Sequence, residues 1–192
     1  MGREDILKSV KANRPELLPL PEIDVSVFME DIDLIERFKN NITLVGGNII
    51  EANKGAIDSL IKESYPDKSQ IVSTTDKSSL GTVKVDKNMD PHNLETVDLA
   101  IIEAELGVAE NGAVWVSAKN SIVRVLPFIT NDLVIILKKD NICLHMLDAY
   151  DKIAERDRDF GVFISGPSKT ADIEQCLVVG AHGAMSLTVI LV

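Results

Sequence analysis

The sequence predicts an α/β protein with an open, mostly parallel sheet. Three observations point there. Short apolar runs recur along the chain, among them "VDLAIIEAE" at 97–105, "DLVIILK" at 132–138 and "SLTVILV" at 186–192, and strands this apolar are covered on both faces. Segments with helical spacing alternate with these runs, as in βαβ units. Aromatic residues make up only 4% of the chain, so the core must be built from Ile, Leu, Val and Ala.

Residues 3–12 predict a short helix with Ile6, Leu7 and Val10 on one face. Pro15, Pro19 and Pro21 follow closely; each fixes φ and removes a backbone donor, so this stretch is an extended linker. The chain therefore divides into an N-terminal helix and Pro-rich arm, residues 1–25, expected to dock onto the main body or a partner, and a single α/β domain, residues 26–192.

Within that domain, Leu34, Ile35, Phe38 and Ile42 have helical spacing, and Gly46-Gly47 ends the helix. "NIIEA" predicts a strand, "GAIDSLIKES" a helix and "QIVST" a strand. "VDLAIIEAE" is expected to be central, with "AVWVSA" and "DLVIILK" as further strands. "LHMLDAYDKIAERD" predicts an amphipathic helix through Leu144, Leu147 and Ile153, and "GVFIS" and "SLTVILV" the last strands. One exception interrupts the alternation. Asn111-Gly112 lies between two short apolar runs, which suits a type I′ turn and predicts a local antiparallel hairpin.

Charge and cysteine content exclude several function classes. The net charge is −10 and the basic residues are scattered, which argues against a nucleic-acid partner. Cys143 and Cys176 are far apart and form no Cys-x-x-Cys pair, so no zinc or iron–sulfur ligand set is visible and no metal is expected. The N-terminus has no apolar signal region, and no run approaches a membrane span. A reduced, cytoplasmic chain is the expectation.

The stretch "SGPSKTADIEQCLVVGAHG" at 165–183 invites comparison with phosphate loops. It fails as a Walker A motif, because Pro167 and Ser168 intervene before Lys169-Thr170. What remains is a turn after the strand "GVFIS" whose amides, with the Ser168 and Thr170 hydroxyls, can hold an anion at a helix start. The plainer account is a helix cap with Asp172 and Glu174 in its first turn. Glu110, beside the predicted hairpin turn, is a candidate nucleophile, general base or substrate acceptor, or else a solvated turn residue. His182, between Gly180 and Gly183, is a candidate acid, base or donor, or a structural histidine.

Three segments, "GVAENGAVWV" at 107–116, "SGPSKTADIE" at 165–174 and "VVGAHGAMSLTVILV" at 178–192, resemble the LUD (lactate utilization domain) family, of its LutC type. The likeness reproduces order and spacing over the C-terminal half; the N-terminal half shares only a helix–linker–helix layout. The resemblance implies a three-layer α/β/α sandwich like the NagB/RpiA/CoA-transferase group. It implies a part in oxidising L-lactate to pyruvate, with LutA- and LutB-like partners carrying the iron–sulfur clusters and no redox cofactor in this chain. By position it implies Glu110 and His182 as catalytic candidates. Gly112, Ser168, Lys169, Thr170, Asp172, Glu174 and Gly183 are implied around a small carboxylate or other anionic metabolite. Two departures stand out: Lys169 replaces the commoner Arg, and the His that many relatives have a few residues after the Leu126-Pro127 pair is missing, with Asp132 near that place. The alternatives are a freestanding CoA-transferase-like or sugar-phosphate-type enzyme using Glu110 as nucleophile, and a module that senses a metabolite without turnover.

Overall fold

The computed structural model describes residues 2–19, 21–22, 24–28, 31–154, 160–171 and 177–192. The chain forms two units, Met1–Asp31 and Ile32–Val192. The first holds helix α1 (Arg3–Ala12) and a 3-10 turn at Val25–Phe28.

The second unit opens with α2 (Leu34–Leu44). Asp33 caps it, its Oδ1 accepting the backbone N–H of Ile35 at 2.9 Å and of Glu36 at 3.1 Å, which satisfies two of the orphan donors of the first turn. Phe38 and Ile42 are fully buried, each worth roughly 1.5–3 kcal/mol of burial. Then come β1 (Asn48–Glu51), α3 (Ile57–Ser64), β2 (Ile71–Ser73), β3 (Leu99–Glu103), β4 (Leu106–Val108), β5 (Ala113–Ser117), the one-turn helices α4 (Ala118–Ser121) and α5 (Leu126–Ile129), and β6 (Asp132–Leu137). The chain closes with β7 (Ile142–Cys143), α6 (Met146–Ala154), β8 (Gly161–Ile164), β9 (Lys169–Ala171), β10 (Leu177–Val179) and β11 (Ser186–Leu191).

Five strands form a wholly parallel sheet in the order β1-β11-β6-β3-β2. Strand periodicity divides its side chains between two cores. Leu133, Ile135 and Leu137 of β6 join Phe38 and Ile42 of α2 on one face. Val134 and Ile136 join Ile57 and Ile61 of α3 on the other. The mostly parallel α/β sheet expected from the sequence is thus present. Its middle strand is β6 rather than β3, which lies between β6 and β2. Every residue of β6 is buried, a stronger mark of centrality than the length of the apolar run.

The predicted hairpin is β4–β5, and it grows into a second sheet in the order β7-β4-β5-β8. Val114, Val116 and Val162 of this sheet face the same core as α2. Leu106, Val108 and Cys143 pack with Ala149 and Ile153 of α6. "GVFIS" therefore pairs antiparallel with β5 and is not part of the parallel sheet. Alternation alone cannot tell a buried edge strand from a parallel one. The hairpin loop runs from Ala109 to Gly112, and only Gly112 has positive φ (+66°), so the type I′ turn is replaced by a longer loop. In α6 the buried face is Ala149 and Ile153, while Leu147 is exposed. The segment after Pro167 does not start a helix: Lys169–Ala171 is strand β9, paired antiparallel with β10.

Candidate functional site

The second sequence motif is held in place by backbone constraints. Gly166 has φ +74°, and a Cβ there would stand 2.5 Å from the carbonyl oxygen of Val45. Only glycine permits both the left-handed angle and that approach. The turn is thereby pressed against the C-terminal end of α2. Lys169 completes the contact, its Nζ donating to the Val45 carbonyl. A cation suits the exposed carbonyls at a helix C-terminus, so the ammonium of Lys169 is engaged with the helix.

The third motif is tied to the second by the main chain. The N–H of Ser168 donates to Ala184 O at 2.8 Å, and the N–H of Gly180 to Ser168 O at 3.1 Å. A Cβ on Gly183 would come within 3.1 Å of the Ser168 Cβ. Ser168, Lys169, Thr170, His182 and Gly183 consequently line one cleft of about 350 Å³. Its floor is apolar, with Phe128, Leu133, Val162 and Leu187. Ser168 and Thr170 are half-buried and His182 is exposed. Among the described residues none of these three side chains has a hydrogen-bond partner. An apolar cleft with a few convergent, uncommitted polar groups is the usual form of a small-molecule site. Asp172 and Glu174 lie outside the described residues.

Glu110 and Gly112 are placed elsewhere and do not line this cleft. The Glu110 carboxylate accepts the backbone N–H of Met146, the first residue of α6, at 2.8 Å and lies 3.5 Å from His145 Nδ1. Its own backbone is fixed by Leu144 O at 2.9 Å and by Asn41 Nδ2, which donates to the carbonyls of Ala109 and Glu110. Gly112 is required by its angle and by Ile42 N, which a Cβ would approach to 2.8 Å. A bridge back to the second motif is Ser165 Oγ, donating to Asn111 O at 2.8 Å.

Asp132, at the position that departs from the family pattern, is buried at the start of β6. It pairs with Lys68 and accepts from Ser186 Oγ. Its hydrogen bond holds the Lys68 ammonium above the ordinary lysine range. It does not line the cleft of Ser168 and His182.

Sequence reasoning missed a second polar group of residues at the carboxyl ends of the parallel strands. Glu103, the last residue of β3, accepts from Lys77 Nζ and Thr75 Oγ1. Burial pushes its carboxyl up, and these two partners more than reverse that, leaving it below the usual glutamate range. Ser117 Oγ lies 2.5 Å from Glu105 Oε1 and 2.8 Å from Asn120 Oδ1, with one hydroxyl proton to share between these two acceptors. Glu103, Glu105, Ser117, Lys119, Asn120 and Lys138 border a cleft of about 480 Å³. The available signal was "STTDKSS" at 73–79, a hydroxyl-rich loop following a strand, where open α/β sheets carry their ligands.

Comparison with known proteins agrees with this architecture. The LUD domain matches residues 84–192. A lactate utilization protein C of Geobacillus thermodenitrificans is 30% identical over 142 residues, spanning 71% of this chain and 56% of that relative. A lactate utilization protein C of Exiguobacterium sp. is 25% identical over 220 residues, the whole of this chain and 96% of the relative. The crystal structure of a DUF162 family protein from Deinococcus radiodurans superimposes with a TM-score of 0.64 at 14% identity, over 82% of this chain and 95% of the other, a likeness of fold.

Proposed function

The chain belongs to the LUD domain family, and on that premise we propose that it is a LutC-like component of a system that oxidises L-lactate to pyruvate. Relatives named lactate utilization protein C support the role in lactate utilization. The observation that carries the chemical reading is the cleft of Ser168, Thr170 and His182, whose uncommitted polar groups stand over an apolar floor. A short 2-hydroxy or 2-oxo acid matches that division. Its carboxylate takes the two hydroxyls, its methyl group the Phe128 and Leu187 surface, and its oxygen at C2 the imidazole.

In this reading the chain supplies binding and proton handling, with His182 as the acid–base group. Electrons leave through LutA- and LutB-like iron–sulfur partners in the cytoplasm. Among the described residues no helix is long and apolar enough to cross a membrane, and no group of three or more His, Cys, Asp or Glu side chains is arranged to hold a metal.

The test is calorimetric titration of the full chain with L-lactate and with pyruvate, repeated on Thr170→Val and His182→Ala. Saturable binding that both substitutions weaken is expected. Binding indifferent to both would remove this cleft as the site. A pull-down against the iron–sulfur partners tests the assembly separately, and failure to retain either would remove the multi-protein reading.

A further inference from the structure

Aromatic side chains make up only 4% of the chain, yet Trp115 and Phe160 both line the cleft of about 480 Å³ at the carboxyl ends of β3 and β6. Both are half-buried, so each ring keeps surface open to a ligand. Trp115 is the chain's single tryptophan, and its neighbours fix it in place. A Cβ on Gly161 would stand 2.0 Å from Cζ2 of the indole, so the ring lies directly against the backbone of β8. Phe163 packs beside it, with ring centres 4.7 Å apart and planes tilted by 52°. Phe160 is steadied in turn by Arg124, whose guanidinium carbon lies 5.5 Å from the ring centre. Surfaces that are set before a ligand arrives cost little to order when it binds.

The polar groups of the wall divide by role. Its carboxylates are engaged: Glu103 accepts from Lys77 and Thr75, and Glu105 lies against the Ser117 hydroxyl and has a further partner. Among the described residues of the wall, these two acids are matched in number by Lys119 and Lys138, so net charge does not select the ligand. The balance of donors and acceptors does. The indole N–H of Trp115, the ammonium of Lys119 and the side-chain amide of Asn141 have no hydrogen-bond partner among the described residues. Indole and ammonium can only donate. The cleft opens beyond the carboxyl ends of parallel strands, where ligands of open α/β folds sit. It shares no lining residue with the cleft of Ser168 and His182.

We propose that this cleft binds a flat heteroaromatic ring with a carbonyl-bearing edge, of the oxopurine kind, stacked on Trp115 with that edge on the donors of Lys119 and Asn141. A ring is selected because the apolar surfaces left open are themselves aromatic, and an aromatic face is best met by another in offset or tilted contact. A carbonyl edge is selected because the uncommitted groups of the wall are chiefly donors. An amine in its place would set donor against donor and leave both unpaired, which costs more than a hydrogen bond gains. The volume lies in the range of small-molecule sites and holds a bicyclic ring with a sugar-sized substituent, for which Phe160 is a second apolar surface.

The experiment is fluorescence titration of the full chain, with Trp115 as the built-in reporter and inosine, adenosine and ribose as probes. Inosine and adenosine differ in a single group, a carbonyl in one and an amine in the other. Inosine is expected to change the Trp115 emission saturably and to bind more tightly than adenosine, and ribose to leave the emission unchanged. Asn141→Ala should weaken inosine about fivefold, the worth of one neutral hydrogen bond. Trp115→Leu, followed by calorimetry, should weaken it about tenfold or more, as the loss of a stacking surface does. Trp115 packs on Phe163, whereas the Asn141 side chain has no partner to lose, so Asn141→Ala tests the site even where Trp115→Leu fails to fold. Thermal unfolding checks both variants. Absence of a saturable change with inosine overturns the proposal. So does adenosine binding as tightly as inosine, an equal response to ribose, or native affinity in Asn141→Ala. None of these outcomes bears on binding of L-lactate or pyruvate in the other cleft.

Discussion

Glu110 caps the helix that begins with Met146: its carboxylate accepts that residue's backbone N–H at 2.8 Å, across 36 positions of sequence. The hairpin loop thus supplies an acceptor for the exposed donors of α6, and a negative charge at the positive end of its dipole. The residue type and position match the family motif, yet the geometry gives the carboxylate a structural task.

A capping role makes a definite prediction. Glu110→Ala should destabilise the protein by about 1 kcal/mol, the usual cost of a lost N-terminal cap. Glu110→Gln keeps an acceptor oxygen and should lose less. Urea unfolding midpoints measure both. A carboxylate serving only as a nucleophile would leave the midpoints where they are in the native protein.

The turn at Gly166 gives a second prediction. Alanine there must adopt φ +74° and place its Cβ 2.5 Å from Val45 O. The backbone must shift, and the cost is about 1–3 kcal/mol of stability. Because the same turn sets Ser168 against Ala184, Gly166→Ala should also weaken any ligand of the Ser168–His182 cleft. Thermal unfolding and ligand titration on one preparation read the two effects together. A variant as stable as the native protein would mean that the turn does not bear on α2 as described.

Much of this arrangement was legible in the sequence because it is local. The helical spacing of Phe38 and Ile42, the Gly46-Gly47 stop and the apolar run of β6 each follow from a few neighbouring residues. The family motifs grouped Ser168, Thr170 and His182 with Glu110; the first three line one cleft, and Glu110 lies outside it. What the sequence did not disclose depends on partners distant along the chain. "GVFIS" looks like any buried strand, and only its pairing with β5 sets it in the second sheet. "SKT" reads as a helix cap until β10 is laid against it. Glu110 carries no local sign that Met146 waits for an acceptor. Glu103 was passed over because it sits inside an apolar run, where one acid looks like an interruption. Its partners, Thr75 and Lys77, lie 28 and 26 positions away.

Glu103 yields the last prediction, in its response to pH. The side chain is partly buried, and burial raises its carboxyl; the Lys77 and Thr75 hydrogen bonds reverse this and leave it lowered. A carboxyl with a depressed value in the folded state adds stability that is fully present above the ordinary glutamate value of about 4.3. That stability is lost as the pH falls from there through the lowered native value. Glu103→Gln should therefore flatten the acid limb of the stability curve below about pH 4.3. At neutral pH it should cost about 1–2 kcal/mol, since Lys77 is left half-buried without its charged partner. Lys77→Met should remove the same acid limb, and the double variant should lose less than the sum of the two, because the pair is a single interaction. Urea unfolding of the four proteins across the acid range measures this. Parallel curves for native and Glu103→Gln protein would show that the ion pair at the carboxyl end of β3 contributes nothing to folding, and that Glu103 is held there by something other than Lys77.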